Sequence, residues 1–417
     1  MPTPSESFSL RAIAVGAFGP SLLFGLGQGA ILPVIPLTAR ELGAPVPVAA
    51  FIVALIGIGS LVSNVPASLV TIRWGERWAI VGAAIWCAVA MAICFATHDL
   101  RVFAAGCFAV GMAQSVFFLA RQSYLSEAVP IAFRARALST LGGVMRIGMF
   151  IGPFLSAAVI HQFGTASAYA VGTVALLGAG LLAGWIREPS PPPVGTAPAA
   201  APATMTATAP GAATPAAQPS APTLWSTVRD HRRIFATLGV AVILVSAVRA
   251  SRQAVIPLWA DQLGLAPSAA SLIYGLSGGV DMLLFYPAGK LMDLKGRRFV
   301  AVPAMLIMGV ALLLTPLTHG ATTLLLAALA IGFGNGIGSG MIMTLGADHS
   351  PSPGRAHFLG VWRLMSDIGG SCGPALLSLL AASASLAVGV AVTGLLALAA
   401  AAQLAYWIPR VGPGRPL

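Results

Sequence analysis

Residues 48–72 read VAAFIVALIGIGSLVSNVPASLVTI, and this stretch decides the fold class. It carries no charged side chain. At ~1.5 Å per residue, a helix over the run exceeds the ~30 Å hydrocarbon core of a bilayer. A strand reading fails, because membrane strands are runs of about ten residues that alternate in polarity. Inside lipid every backbone N–H and C=O must bond within its own segment, which leaves the helix.

Comparable apolar runs lie on either side. Spans 1 to 6 are predicted at 12–36, 48–72, 78–97, 101–123, 138–160 and 167–187. Spans 7 to 12 follow at 234–258, 268–289, 299–318, 321–345, 358–381 and 386–409. The chain of 417 residues is 57% hydrophobic and only 8% charged, against roughly 25% charged in soluble domains. A water-facing surface of ordinary polarity cannot be built from it, so the predicted fold class is an all-α integral membrane protein of twelve transmembrane helices.

Basic residues set the orientation, because segments rich in Lys and Arg stay on the cytoplasmic side. With both termini cytoplasmic, Arg73, Arg77, Arg134, Arg136, Arg232, Arg233, Lys290, Lys295, Arg297, Arg298 and Arg355 all fall in cytoplasmic loops. Arg40 and Arg101 fall on the other side. The net charge of +11 is then topology signal and attraction to anionic lipid, and no nucleic-acid partner is expected. The first run is longer than the apolar core of a signal peptide and reads as a retained helix. The expected setting is the cell membrane, and the expected state a monomer.

The most informative feature is an internal repeat in which residue n matches residue n+221 without a gap. Pro36 pairs with Pro257, Gly57 with Gly278, Pro66 with Pro287, Gly75 with Gly296, Arg77 with Arg298, and Gly111 with Gly332. Gly148, Gly152 and Pro153 pair with Gly369, Gly373 and Pro374. Gly and Pro fix where backbones bend or approach, so their repetition repeats a fold rather than a composition. Six spans per copy return the chain to its starting face, which makes two pseudo-symmetric six-helix bundles in parallel orientation, with a solute site expected between them near mid-bilayer. The bundles are placed at residues 1–187 and 234–417. Residues 188–233 between them, rich in Pro, Ala and Thr, are expected to be a disordered cytoplasmic linker.

Between spans 8 and 9 the chain reads Gly289-Lys290-Leu291-Met292-Asp293-Leu294-Lys295-Gly296-Arg297-Arg298. This closely resembles the signature loop of the major facilitator superfamily, in which it acts as a conformational latch. The glycine lets two helices approach, the carboxylate can sit at the positive end of a neighbouring helix, and the basic residues hold the turn at the inner leaflet. The first-half copy keeps Gly75 and Arg77 but has Ile72 in place of the carboxylate, so that latch looks degenerate. In span 5, Gly148-x-x-x-Gly152-Pro153 resembles the motif of exporters and antiporters of the family, and span 11 repeats it as Gly369-x-x-x-Gly373-Pro374. Plain helix packing explains the same residues equally well. Ile31 to Pro36, followed by Arg40-Glu41-Leu42-Gly43, also resembles drug and metabolite exporters. The arginine that proton-coupled exporters carry in span 4 is absent, with Gly106 and its neighbours in that stretch.

An ionisable group at mid-bilayer costs at least ~2.5 kcal/mol, so each one is a functional candidate. The candidates are Arg146 in span 5, Arg249 and Arg252 in span 7, Asp281 in span 8, and Arg363 and Asp367 in span 11. Arg363 and Asp367, four apart, share a helical face and can neutralise each other. Spans 5 and 8 pack together in the fold the resemblance implies, so Arg146 and Asp281 are expected to pair between the halves, the alternative being that Arg146 bonds local carbonyls. Arg249 and Arg252 are then left as positive charges suited to an anionic solute, unless they snorkel or serve structure. Asp281 and Asp367 are the carboxylates available to carry a proton. Gln28, Gln114 and Asn335 are candidate neutral cavity groups, and Phe24, Phe117, Phe118 and Trp259 candidate lining or packing aromatics.

The expected function is secondary transport of a small organic solute by alternating access, as an exporter, with protons the candidate counter-ion. Uptake of an organic anion is the alternative transport reading, and a non-transporting sensor or scaffold the alternative of another class. No nucleophile–base set, metal-ligand cluster, phosphate loop or cofactor motif is found, which argues against an enzyme.

Overall fold

The computed structural model describes residues 14–129, 131–185, 223–351 and 354–411. Among these residues there is no strand, and eleven helices are long and apolar enough to cross a bilayer. One of them, Val46–Ala96, has 51 residues, more than double the ~20 that a crossing needs. Gly75 divides it, with φ 78° and ψ 161°, a backbone state that a Cβ would strain. Spans 2 and 3 meet there, giving twelve crossings. Gly296, at n+221, has φ 89° and makes the same turn between Pro267–Lys295 (span 8) and Arg297–Leu314 (span 9).

Span 1 is Ala14–Ile31, extended after a turn at Pro33 by Ile35–Glu41. Spans 4, 5 and 6 are Leu100–Ala128, Ile131–Phe163 and Ser167–Gly184. Span 7 enters through a π-helical turn, Phe235–Gly239, and continues as Val240–Gln262. Span 10 is interrupted: Ala321–Ile337 and Met341–His349 flank Gly338, Ser339 and Gly340, the last with φ 84°. Spans 11 and 12 are Arg355–Ser383 and Leu386–Trp407.

Part of the linker expected to be disordered is helical. Leu224–Asp230 forms a short helix because Thr223 and Ser226 cap each other's backbone N–H groups at 3.2 and 3.0 Å. The Pro-rich composition that motivated the expectation ends at Pro222. Residues 188–222 of the predicted linker lie outside the described residues.

The repeat governs packing as well as sequence. A Cβ on Gly148 would strike the Leu22 carbonyl of span 1, and one on Gly369 would strike the Ile243 carbonyl of span 7, which is Leu22 moved by 221. Gly152 meets Leu26 as Gly373 meets Ala247, and Gly111 meets Ile56 as Gly332 meets Ser277. Each half therefore packs span 5 (or 11) onto span 1 (or 7), and span 4 (or 10) onto span 2 (or 8), through the same backbone contacts. Between the halves, span 2 lies against span 11 and span 5 against span 8.

Candidate functional site

The two faces of the molecule differ. On the face away from the linker, Arg40 at the end of span 1 pairs with Asp261 at the end of span 7, Nε to Oδ2 2.9 Å, while Ser378 Oγ donates to the Pro47 carbonyl at 2.7 Å. At mid-depth, Gly275 and Gly279 of span 8 pack on Pro153, Phe154 and Phe150 of span 5, and Gly57 of span 2 on Ser371 of span 11. Toward the linker face, added Cβ atoms at Gly142, Gly143 and Gly289 would meet nothing within 4 Å. The halves close over the far face and part toward the linker face. Between them is a cavity of about 600 Å³, lined by spans 1, 2, 4 and 5 of one half and 7, 8, 10 and 11 of the other.

Asp281, only 7% exposed, is its electrostatic centre. Arg146 of the opposite half lies 3.3 Å from Oδ1, and Arg252 lies 3.6 Å from Oδ2. Asn335 Nδ2 donates to Oδ2 at 2.5 Å, and Ser339 Oγ to Oδ1 at 3.3 Å. The carboxylate is thus held from three spans, and Arg146 also stacks on Phe285 with its Cζ 4.5 Å from the ring centroid. The pairing across the halves is with span 8, rather than with local carbonyls of span 5.

Arg249 is occupied within its own half. Its Nε donates to Asn335 Oδ1 at 2.7 Å, and its Nη atoms reach the Gly338 and Asn335 carbonyls and Ser339 Oγ at 3.4–3.5 Å. The interruption of span 10 explains this, since a broken helix leaves carbonyls without their i+4 donors and a buried guanidinium supplies replacements. Arg252 is freer: besides the long contact to Asp281 it lies over Tyr274, and its buried Nη1 has no partner. Both span 7 arginines line the cavity, and Arg249 is the more fully bonded of the two.

Asp367 keeps the expected pair with Arg363, at 3.9 Å with the arginine half exposed, and has a second, closer partner: Asn64 of span 2 donates to Asp367 Oδ2 at 3.0 Å and accepts from Ser115 Oγ at 2.7 Å. This contact is the repeat partner of Arg146 on Phe285, because Asn64 and Phe285, like Arg146 and Asp367, are 221 apart. The halves put different chemistry into one pseudo-symmetric joint.

Gln28 and Gln114 both line the cavity, and Gln28 Nε2 is buried without a partner. Of the four aromatics singled out, Phe118 lines it. Phe24 and Phe117 stack at 3.8 Å in the core, and Trp259 donates to Thr318 at 2.8 Å. Arg121 of span 4 also lines the cavity; it falls two residues from the end of the predicted span 101–123 and is not among the candidates the sequence singles out. Span 4 runs on to Ala128, which draws Arg121 inward.

The latch residues lie at the open face. Arg297 bonds Asp293 at 2.8 Å and Asp348 of span 10 at 2.9 and 3.4 Å, while Arg298 is exposed. Asp293 is 74% exposed and its ion pair is with Arg297 of its own loop, and Gly289 has no helix against it, so the close approach expected of this glycine is not made in this state. The splaying of the halves at this face accounts for both. Gly148 and Gly152 of span 5 and Gly369 and Gly373 of span 11, in contrast, pack directly on the backbone of span 1 or span 7 within their own half.

Two six-span halves that close at one end over a polar cavity at mid-depth define a carrier, a protein that opens one site to one side of a membrane at a time. The chain belongs to the Major Facilitator Superfamily, whose model matches residues 18–250 and 238–417. It is a multi-pass membrane transporter of small molecules and not an enzyme. No curated protein sequence matches it significantly. Solved structures match over nearly the full length at low identity. One is a bacterial homologue of the human lysosomal transporter Spinster, inward-facing and unoccupied, with TM-score 0.76, 13% identity, and coverage of 98% of this chain and 99% of that one. A D-xylose–proton symporter has TM-score 0.70, 14% identity, and coverage of 98% and 100%. The human organic anion transporter MFSD10 has TM-score 0.63, 13% identity, and coverage of 94% and 99%.

Proposed function

We propose that this transporter carries a small organic anion. The observation behind the reading is charge in the cavity wall: Arg121, Arg146, Arg249 and Arg252 face it against two carboxylates, Asp281 and Asp367. Excess positive charge within a membrane is expensive, and an anion from water offsets it. Arg252, with an unpaired donor beside Asp281, is the mid-depth group such an anion engages; Arg249 holds the interrupted span 10 in place. An anion that draws Arg252 or Arg146 from Asp281 loosens the link between the halves at mid-depth, which couples binding to rocking. Asp281 and Asp367 are the candidate proton carriers in an exchange of protons for solute.

Positive charge at the linker face supports cytoplasmic termini in the cell membrane and a cavity open to the cytoplasm. Export is the direction that the resemblance of the span 1 and span 5 motifs supports, and a monomer suffices because one chain lines the whole cavity. The test is thermal stability of purified protein against organic anions, neutral metabolites and lipophilic cations, beside Arg252→Gln. Anions alone should raise the melting temperature, and Arg252→Gln should abolish the effect. Stabilisation by cations or neutral solutes, unchanged in the variant, refutes the anion reading.

A further inference from the structure

Eight buried side-chain N or O atoms among the described residues have no hydrogen-bond partner. Three of the eight belong to residues that line the cavity: Gln28 Nε2, Arg121 Nε and Arg252 Nη1. All three are N–H donors. These atoms are shielded from the cavity as the side chains stand, and a buried donor without an acceptor costs ~1–3 kcal/mol, which favours a side-chain shift toward any acceptor that arrives with the cargo. The donors stand on both walls, Gln28 and Arg121 in the first half and Arg252 in the second.

Arg121 is weakly satisfied. Among the described residues its one hydrogen bond is from Nη1 to Met145 Sδ, 3.2 Å, a weak acceptor, and its Cζ lies 5.0 and 5.9 Å from the Phe118 and Phe117 rings. No ion pair among the described residues includes it. Its neighbourhood adjoins the Asp281 cluster, since Met145, which it touches, precedes Arg146 in span 5. Gln28 lies one helical turn beyond Phe24, which packs on the same two phenylalanines, so Gln28 and Arg121 flank one aromatic wall.

Resting on the anion reading above, we infer that the cargo carries two separated carboxylates, one met by Arg252 beside Asp281 and the second by Arg121 and Gln28. Carboxylates fit better than phosphate, because each wall offers one or two free donors and a phosphate presents three acceptor oxygens with up to two charges. A cargo held at both ends spans the two halves, and its length sets how closely they approach.

Isothermal titration of the full chain in nanodiscs with succinate, glutarate and adipate, each beside its own monoamide, tests this. At one chain length the diacid should bind about ten- to a hundredfold more tightly than its monoamide, the range of one charge-assisted hydrogen bond. Arg121→Gln should weaken the diacid about ten- to a hundredfold and the monoamide much less, closing the gap between them; Gln28→Met should narrow the gap severalfold. Equal affinity of diacid and monoamide in the unmodified protein overturns the inference and needs no variant to fold. So does an Arg121→Gln protein in which both ligands weaken together. If neither ligand class binds, the anion reading itself falls, a separate outcome.

Discussion

Replacing Asp281 by Asn should destabilise the protein far more than replacing Arg146 by Gln, although the two form one ion pair. The charge centres of such a pair, ~4 Å apart, attract by ~4 kcal/mol at an effective dielectric of ~20. Asp281 makes two such contacts, to Arg146 at 3.3 Å and to Arg252 at 3.6 Å. Asp281→Asn forfeits both and leaves the arginines repelling one another, with a net cost of ~3–5 kcal/mol after desolvation. Arg146→Gln forfeits one contact and relieves one repulsion, and Asp281 keeps Arg252, Asn335 and Ser339. Its cost should be ~1–2 kcal/mol, because a pair whose arginine is 30% exposed is partly screened. The double variant should fall short of additivity by ~1–3 kcal/mol. Unfolding in mixed micelles, followed by tryptophan fluorescence, measures all three. Equal costs for the single variants, or strict additivity, would show that Arg146 and Asp281 are neighbours without being partners.

Glycines separate packing from gating. Gly148→Val and Gly369→Val should each lower the melting temperature markedly, because the new side chain meets the Leu22 or Ile243 backbone, which cannot turn aside. Gly289→Val should leave stability in the linker-open state nearly unchanged, since nothing lies within 4 Å, yet slow transport if that face must close. Arg249→Gln should destabilise by ~2–4 kcal/mol, as the guanidinium bonds to Asn335, Gly338 and Ser339 are lost together, and hydrogen exchange near residues 338–340 should rise with it.

The twelve spans and the two halves were legible because lipid leaves the chain few options: uncharged runs must be helices, and the Gly and Pro of the repeat mark the same contacts twice. Arg146 and Asp281 could be singled out because charge is costly at that depth. Arg121 was not, since sequence gives depth only to within a turn or two and a longer span 4 shifted it inward. Which of Phe24, Phe117 and Phe118 faces the cavity depends on helix rotation, a property of packing that no single span encodes. The interruption of span 10 was signalled by Gly338 and Gly340, but glycine is also frequent in unbroken membrane helices. Arg40 and Asp261 carry a sequence signal of their pairing, opposite charges separated by the repeat length itself.

That far-face ion pair gives the most direct test of the central claim, that one cavity is reached from one face at a time. Ser60 lines the cavity and accepts Cys conservatively; of the native cysteines Cys372 is exposed and the other three are buried, so Cys372→Ser supplies the background. Labelling by an impermeant anionic methanethiosulfonate is then followed in sealed vesicles whose orientation is fixed by tagging the linker. The account predicts rapid reaction from the linker face and little from the other, and, on adding Arg40→Gln, a gain from the far face at the expense of the linker face. Reaction from both faces with no such exchange would mean a continuous pore and would contradict alternating access.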